Sequence, residues 1–183
     1  MAIGKHDPEV AHDTDLKQAI AVGLDEALTA LEESFYDLTD EQIQSFPIAG
    51  RNSIAWIVMH CLDNLDEHAN GCASGHRTFP AEWRWNLWNC RPEERPKPGD
   101  PFPAREEMLL TLRGVREAAM ATLEGAEESV LIEKWIPHPQ KRSRADFYMR
   151  TIYHTMAHVR QVWLLRGALG LTDGKSWPRQ HWA

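Results

Sequence analysis

The chain has 183 residues, the usual size of one domain, so we expect a single domain over residues 1–183 with one hydrophobic core. Acidic residues outnumber basic ones by 27 to 20, and the net charge of −7 argues against a nucleic-acid surface, which needs a basic face. The longest uninterrupted apolar run, from Ile54 to Met59, is six residues, so no membrane-spanning helix is expected.

The first periodic segment predicts an amphipathic helix. Apolar residues from Leu16 to Phe35 recur every three or four positions with charged residues between them. This is the period of a helix of about five turns. Thr14 or Asp13 is the expected N-cap. Further along, Thr39 begins a capping-box pattern that should open only a short turn.

A second helix is expected after the break over residues 38–51, where a proline and a glycine interrupt any continuous helix. Asn52 or Ser53 should cap it, because either residue directly precedes a new apolar series. We expect this helix to end near Gly71 or Gly75.

Residues 76–103 differ in composition from the rest of the chain. They contain six prolines and three tryptophans, Trp83, Trp85 and Trp88. Proline at this density excludes regular structure through most of the segment. We predict a long loop over one end of the helices, whose tryptophans either wall a pocket or plug the bundle.

Two further helices complete the predicted fold. The third runs over about residues 104–123 and is closed by Gly125. The fourth begins with a capping signal at Ser143 and ends at Gly167 or Gly170.

Strand signals are lacking, because no segment alternates apolar and polar residues over more than a few positions. The connections 76–103 and 126–142 both contain proline and are predicted to be irregular. The predicted fold is therefore all-α, a four-helix bundle over about residues 14–170 with long connections between helices.

Two of the nine histidines form an informative pair on the fourth helix. His154 and His158 are four positions apart, so both imidazoles stand on one face. The stripe that contains them is Phe147, Thr151, His154, His158, Gln161, Leu165 and Leu169. We expect this stripe to face inward, where a divalent metal would satisfy both rings at once. Hydrogen-bonded core or surface histidines are the alternative. Thr155 occupies the glutamate position of HExxH, which excludes a zinc protease of that type.

A third ligand would have to come from another helix. His60 lies at the edge of the apolar face of the second helix, which suits a site open to a cleft. His68, two turns further on, is closer to that apolar face and competes for the role. Three histidines with one open position are the arrangement of catalytic zinc.

Several polar residues near these histidines have two interpretations each. Asp63, Asn64 and Glu67 could support an imidazole or could belong to a solvated helix surface. Gln161 could bind water or substrate, or could be a polar residue packed in the core. The sequence alone does not distinguish between these interpretations.

The cysteines indicate a reducing environment. Cys61, Cys72 and Cys90 are an odd number and lack CxxC spacing. The chain also begins without an apolar signal segment, so we expect a cytoplasmic location. Cys61 follows His60 directly and is predicted to point into the core, about 100 degrees away from it.

Two segments together resemble the DinB/YfiT-like superfamily. The segment Gly50 to His60 reads GRNSIAWIVMH and is similar to the helix-two signature, in which an apolar run leads into a metal-binding histidine. The segment Tyr153 to Gly170 reads YHTMAHVRQVWLLRGALG and is similar to the helix-four signature. The resemblance covers roughly residues 14–170 and implies a four-helix bundle.

The resemblance also implies a site and a chemistry. It favours His60 over His68 and implies a divalent metal, zinc or nickel, held by His60, His154 and His158. Relatives include thiol-dependent S-transferases and isomerases, so a low-molecular-weight thiol and a small electrophilic substrate are the expected partners. A homodimer is the assembly that we consider for this chain. We expect neither a nucleic acid nor a membrane as partner. The alternative is a metal-binding bundle that acts as a non-catalytic binding or regulatory module.

Overall fold

A computed structural model describes residues 15–71, 75–84, 95–133 and 142–171 of the protein, and these form helices without a β-strand. The prediction of an all-α fold is confirmed. The α-helices in these ranges are α1 (Leu16–Glu33), α2 (Asp40–Gln44), α3 (Ile54–Leu65), α4 (Arg105–Gly125), α5 (Glu128–Ile132) and α6 (Arg144–Ala168). A π-helical turn, Asp66–Gly71, continues α3, and a 3₁₀ turn forms at Ala81–Trp83.

Side-chain caps account for where most of these helices begin. Asp15 caps α1, with its carboxylate accepting a hydrogen bond from the Gln18 backbone N–H at 2.6 Å. The expected caps, Thr14 and Asp13, were wrong by one or two positions and lie outside the described residues. A carboxylate at the position next to the first helical residue was sufficient to set the start.

The other predicted caps are confirmed. Thr39 forms a capping box with Gln42 at the start of the short α2. Ser53, one of the two candidates, accepts a hydrogen bond from the Trp56 backbone N–H at 3.2 Å and starts α3. Ser143 forms a capping box with Asp146 at the start of α6.

The four long helices form the bundle. Helix α1 packs against α4 and α6, and α3 packs against the same two helices. Each long helix thus has two long neighbours, as the four-helix bundle requires. The contact between α3 and α6 brings together the two helices that carry the candidate metal ligands.

The chain contains more helix than predicted at the end of α4 and in the connection that follows it. Helix α4 includes Gly125, which was expected to close it, and α5 forms inside the connection 126–142 that was predicted to be irregular. Leu131 of α5 is fully buried. Burial of this side chain against the bundle supports a helix too short to be stable in isolation.

The buried face of α6 differs from the predicted stripe. Thr151, Thr155 and Val159 are almost completely buried, whereas His154 and His158 are only half-buried and Gln161 is exposed. The centre of the buried face is therefore about one residue position away from the histidines. Thr151 of the predicted stripe is buried as expected, but the buried Thr155 conceals the helical period of apolar residues, and for this reason the prediction placed the face wrongly.

Arg166 is a further buried residue of α6, with 2 % of its surface exposed. Its guanidinium donates to the Asp37 carboxylate at 2.6 and 3.1 Å and to the Ser34 carbonyl at 3.3 Å. It also lies over the Trp163 ring at 4.8 Å from the centroid. These contacts satisfy the charge and fix the end of α6 to the end of α1.

A polar cluster joins the end of α3 to the loop that follows it. The fully buried Asp66 accepts hydrogen bonds from Arg77, from Asn70, and from the backbone of Thr78 and Phe79. Burial alone would raise the pKa of Asp66, but these hydrogen bonds outweigh it and hold the pKa below its usual value.

Asp63 belongs to the same cluster. It is 4 % exposed and forms an ion pair with Arg77, which also pairs with Glu67 at 2.8 Å. Neither interpretation offered for Asp63 holds, because its described partner is Arg77 rather than an imidazole or solvent. That partner is 14 positions along the chain, so no helical spacing could indicate it.

Candidate metal centre

The structure brings three histidines together where α3 packs against α6. His60 extends from α3, and His154 and His158 extend from successive turns of α6. One ring nitrogen of each residue lies within 4.8 Å of the corresponding nitrogens of the other two. His60 Nε2 and His154 Nε2 are 3.1 Å apart. The predicted convergence of these three side chains is therefore observed.

The three rings lie in direct contact. Ring centroids are 4.9 Å apart for His60 and each of the other two rings, and 4.5 Å apart for His154 and His158. Trp56, one turn before His60, stacks on its imidazole at 4.7 Å with the ring planes 10° apart. The buried indole thereby holds the His60 ring toward α6. The sequence contained this signal in the i, i+4 spacing of Trp56 and His60.

Gln161 supports the third histidine. Its side-chain Oε1 lies 3.0 Å from His158 Nδ1. An amide oxygen can only accept, so in this arrangement Nδ1 carries the proton and Nε2 keeps its lone pair. Gln161 is exposed, so the interpretation as a polar residue packed in the core is wrong, and its contact with His158 was not predicted.

All three imidazoles are neutral near pH 7. Burial, with smaller contributions from His158, His154 and Arg95, lowers the pKa of His60 to about 3. Burial and then His158 lower the pKa of His154 to about 4. Burial also lowers the pKa of His158, although the bond from Gln161 opposes the shift. Neutral imidazole is the form that binds a metal ion.

The donor set fits a divalent metal. Zinc–nitrogen bonds of about 2.0 to 2.1 Å keep two ligand nitrogens within about 4.2 Å of each other. The His60–His154 pair satisfies this limit, and the trio as a whole is close to it. In addition, His60 Nδ1 and His154 Nδ1 are buried without a hydrogen-bond partner among the described residues. No fourth His, Cys, Asp or Glu of the described ranges joins the group.

An open cleft adjoins the histidines. His60 and His158 form part of its wall, and its volume is about 510 Å³. Trp56, Ile57 and Leu165 contribute apolar surface to the same wall. A small molecule in this cleft would meet the imidazoles directly, as a site with an open ligand position requires.

His68 and Cys61 lie outside the site. His68 stacks on Phe147 with ring centroids 5.0 Å apart, and its Nδ1 is 3.3 Å from Asn64 Oδ1. It does not belong to the converging group, and Asn64 serves His68 instead of the site. Cys61 is 1 % exposed, which confirms it as a core residue, and burial raises the pKa of its thiol far above the ordinary value.

The tryptophan-rich segment is described only in part. Trp83 packs against the core and donates to Glu107 at 2.6 Å, and it is not among the residues of the cleft wall. For Trp83 these contacts support the alternative in which the tryptophans plug the bundle and do not wall a pocket. Trp85, Trp88 and the remaining cysteines lie outside the described residues.

The fold and the site define a class of protein, a helical bundle in which two neighbouring helices direct three neutral histidines toward an open cleft. The sequence profile of the DinB superfamily matches residues 24–162, which include all three histidines. The chain belongs to the DinB superfamily. Comparison with curated proteins gave no match. Within the described ranges, no helix combines the length and apolar character needed to cross a membrane.

Proposed function

We propose that His60, His154 and His158 bind one divalent metal ion, zinc or nickel, in a metal-dependent enzyme. The proposed reaction is a thiol-dependent S-transfer or isomerisation of a small electrophilic substrate. The single observation that carries the proposal is the convergence of three neutral imidazoles beside an open cleft without a fourth protein ligand among the described residues. The DinB superfamily generally binds metal, which supports the same assignment.

The composition of the cleft favours a nucleophile that arrives with a co-substrate. The described residues of its wall include no serine, threonine, cysteine, lysine, tyrosine or carboxylate. Cys61 is adjacent to His60 in sequence but is buried in the core, with a thiol that stays protonated at neutral pH. A thiol that enters the cleft would supply the missing group.

The residues of this chain would perform three tasks in such a reaction. The histidines would hold the ion, Gln161 would keep His158 in the tautomer that binds through Nε2, and Trp56 would keep the His60 ring in place. Apolar side chains of the cleft would exclude water from the reacting groups. A bound divalent metal supplies Lewis acidity, which lowers the pKa of a coordinated thiol so that thiolate exists at neutral pH.

The metal content of the protein, purified without a histidine tag, tests the site. We expect near-stoichiometric zinc or nickel in the wild type and strongly reduced content in the double variant His154→Ala/His158→Ala. Circular dichroism should show that the variant keeps its helices. Equal metal content in the two proteins would contradict the proposed site.

A screen of common low-molecular-weight thiols against small electrophiles tests the reaction. We expect turnover by the metal-loaded wild type and none by the double variant. Stoichiometric metal without turnover of any pair would favour the non-catalytic binding module instead. The homodimer and the cytoplasmic location remain predictions.

A further inference from the structure

The cleft beside the histidines has the opposite charge character to the chain as a whole. The chain carries a net charge of −7. Yet the described residues of the cleft wall include two arginines, Arg51 and Arg95, and no aspartate or glutamate. The arginines favour an anionic ligand.

Arg95 is the better placed of the two arginines, since it is half-buried whereas Arg51 is exposed. Its guanidinium lies over the Trp56 ring, 5.6 Å from the centroid, and Nη1 donates to Asn52 Oδ1 only at the long distance of 3.5 Å. Among the described residues Arg95 forms no ion pair, and its Nε is buried without a hydrogen-bond partner.

The Arg95 guanidinium therefore has N–H donors that lack an acceptor among the described residues. It carries five N–H donors in a planar fork, and a carboxylate matches that fork with two parallel hydrogen bonds. Among the described residues this half-buried charge has no counter-ion, so a ligand that supplies one gains affinity.

The same indole connects Arg95 with the histidines. Trp56 contacts the Arg95 guanidinium and also stacks on the His60 imidazole. A carboxylate bound at Arg95 would therefore be separated from the histidines by about the size of the Trp56 indole ring. Ile57, Leu164 and Leu165 give the wall an apolar area that suits an organic body.

We propose that the ligand of this cleft is a small organic carboxylate whose acid group pairs with Arg95 while its apolar body extends toward the three histidines. The proposal rests on the proposed function, because it names the substrate class of the same site. The apolar walls suit the organic body of such an acid, and phenyl phosphate is the competing anion in the test below.

A matched pair of probes tests the charge requirement. Calorimetric titration of 4-phenylbutyrate and its neutral amide would be performed on the protein as purified and on protein stripped of metal by a chelator. Stripping separates a carboxylate held by Arg95 from one held by a metal. In both forms we expect the acid to bind at least about tenfold more tightly than the amide, as a charge-assisted pair provides.

Variants assign the preference to a residue. Arg95→Gln should bring acid and amide to within about twofold of each other, and Arg95→Lys should keep part of the preference because it keeps the charge but not the fork. Arg113→Gln, which removes an exposed arginine outside the cleft wall, should leave the preference intact. A salt titration gives a check that needs no variant. Raising sodium chloride from about 0.05 to about 0.5 M should weaken the binding of the acid and leave the binding of the amide unchanged.

The outcomes separate this proposal from the proposed function. Equal binding of acid and amide, no binding of the acid at about 10 mM, tighter binding of phenyl phosphate, or a preference that survives Arg95→Gln would overturn the carboxylate assignment. None of these results bears on the metal content. Conversely, an Arg95-dependent acid preference in a protein whose metal content ignores the histidine variants would leave this proposal standing and refute the metal site.

Discussion

The Asp66 cluster and the three-histidine site both place polar side chains inside the bundle, and both begin on the helical segment 54–71. The Asp66 carboxylate accepts hydrogen bonds from Arg77, from Asn70 and from the backbone of the following loop. At the histidines, His60 Nδ1 and His154 Nδ1 are buried without a partner among the described residues. The first cluster is satisfied by contacts within the chain, whereas at the second two ring nitrogens have no partner among the described residues.

The pKa values show the same contrast. Hydrogen bonds lower the pKa of Asp66 in spite of its burial, so folding favours the charged carboxylate. Burial lowers the pKa of His60 and His154, so folding favours the neutral rings. We therefore infer that the Asp66 cluster serves stability and that the histidines serve binding. Four predictions test that division.

The largest expected effect is on stability. Asp66→Ala should lower the free energy of unfolding by about 3 to 5 kcal/mol, because the partly buried Arg77 guanidinium loses one of its acceptors and two backbone N–H groups lose theirs. Urea unfolding followed by circular dichroism measures the loss. Glu67→Ala is the matched control, since Glu67 pairs with the same Arg77 at a partly exposed position and should cost less than about 1 kcal/mol. Similar losses in the two variants would refute the stabilising role of Asp66.

The second effect is on metal affinity. His60→Ala should weaken zinc binding more than about a hundredfold, since loss of a direct ligand exceeds the tenfold to hundredfold cost of losing a supporting residue. His68→Ala should keep metal affinity nearly unchanged but lower stability, because its ring packs on Phe147. Competition with a chromogenic chelator measures the affinities. Weaker binding by His68→Ala than by His60→Ala would reverse the assignment.

A smaller effect is expected one contact away from the metal ligands. Gln161→Ala should weaken zinc binding by about tenfold, because His158 loses the acceptor that fixes its tautomer. Gln161→Glu retains an acceptor and should bind at least as tightly as the wild type. If Gln161→Ala and the wild type bind equally, the contact is not part of the site.

The smallest effect is a pH dependence in the metal-free protein. Folding lowers the pKa of His60 from the ordinary value near ~6.5 to about 3, and that of His154 to about 4. Below pH ~6.5 the unfolded chain binds protons that the folded chain does not, so stability falls as the pH drops from about 6.5 toward 4 and is insensitive to these groups above that range. The contribution of Asp66, whose pKa is also lowered, is lost only below pH ~3.9.

Thermal unfolding between pH 7.5 and 4.5 can separate these contributions. We expect the melting temperature of the wild type to fall by about 5 °C over this interval. The variant His154→Ala/His158→Ala should show a smaller fall, because it lacks two of the three rings. Identical pH profiles would mean that the buried histidines do not control this dependence.

Local signals in the sequence determined most of the helices and the identity of the candidate site. Ser53 and Ser143 cap their helices as predicted, because capping depends on an interaction between residues three positions apart. The i, i+4 spacing placed His154 and His158 on one face, and the edge position of His60 matches its half-buried state beside the cleft. Such features follow from helix geometry, but the choice of His60 over His68 came from the family resemblance.

Tertiary structure decided what these residues meet. The rotation of α6 was misjudged because Thr155, which lies outside the predicted stripe, enters the core, and a threonine gives no sign of burial in a pattern of apolar residues. The pairing of Asp63 with Arg77 and the contact of Arg95 with Trp56 join residues far apart in sequence. No periodicity encodes such contacts, because they form only when the helices and the loop between them pack together.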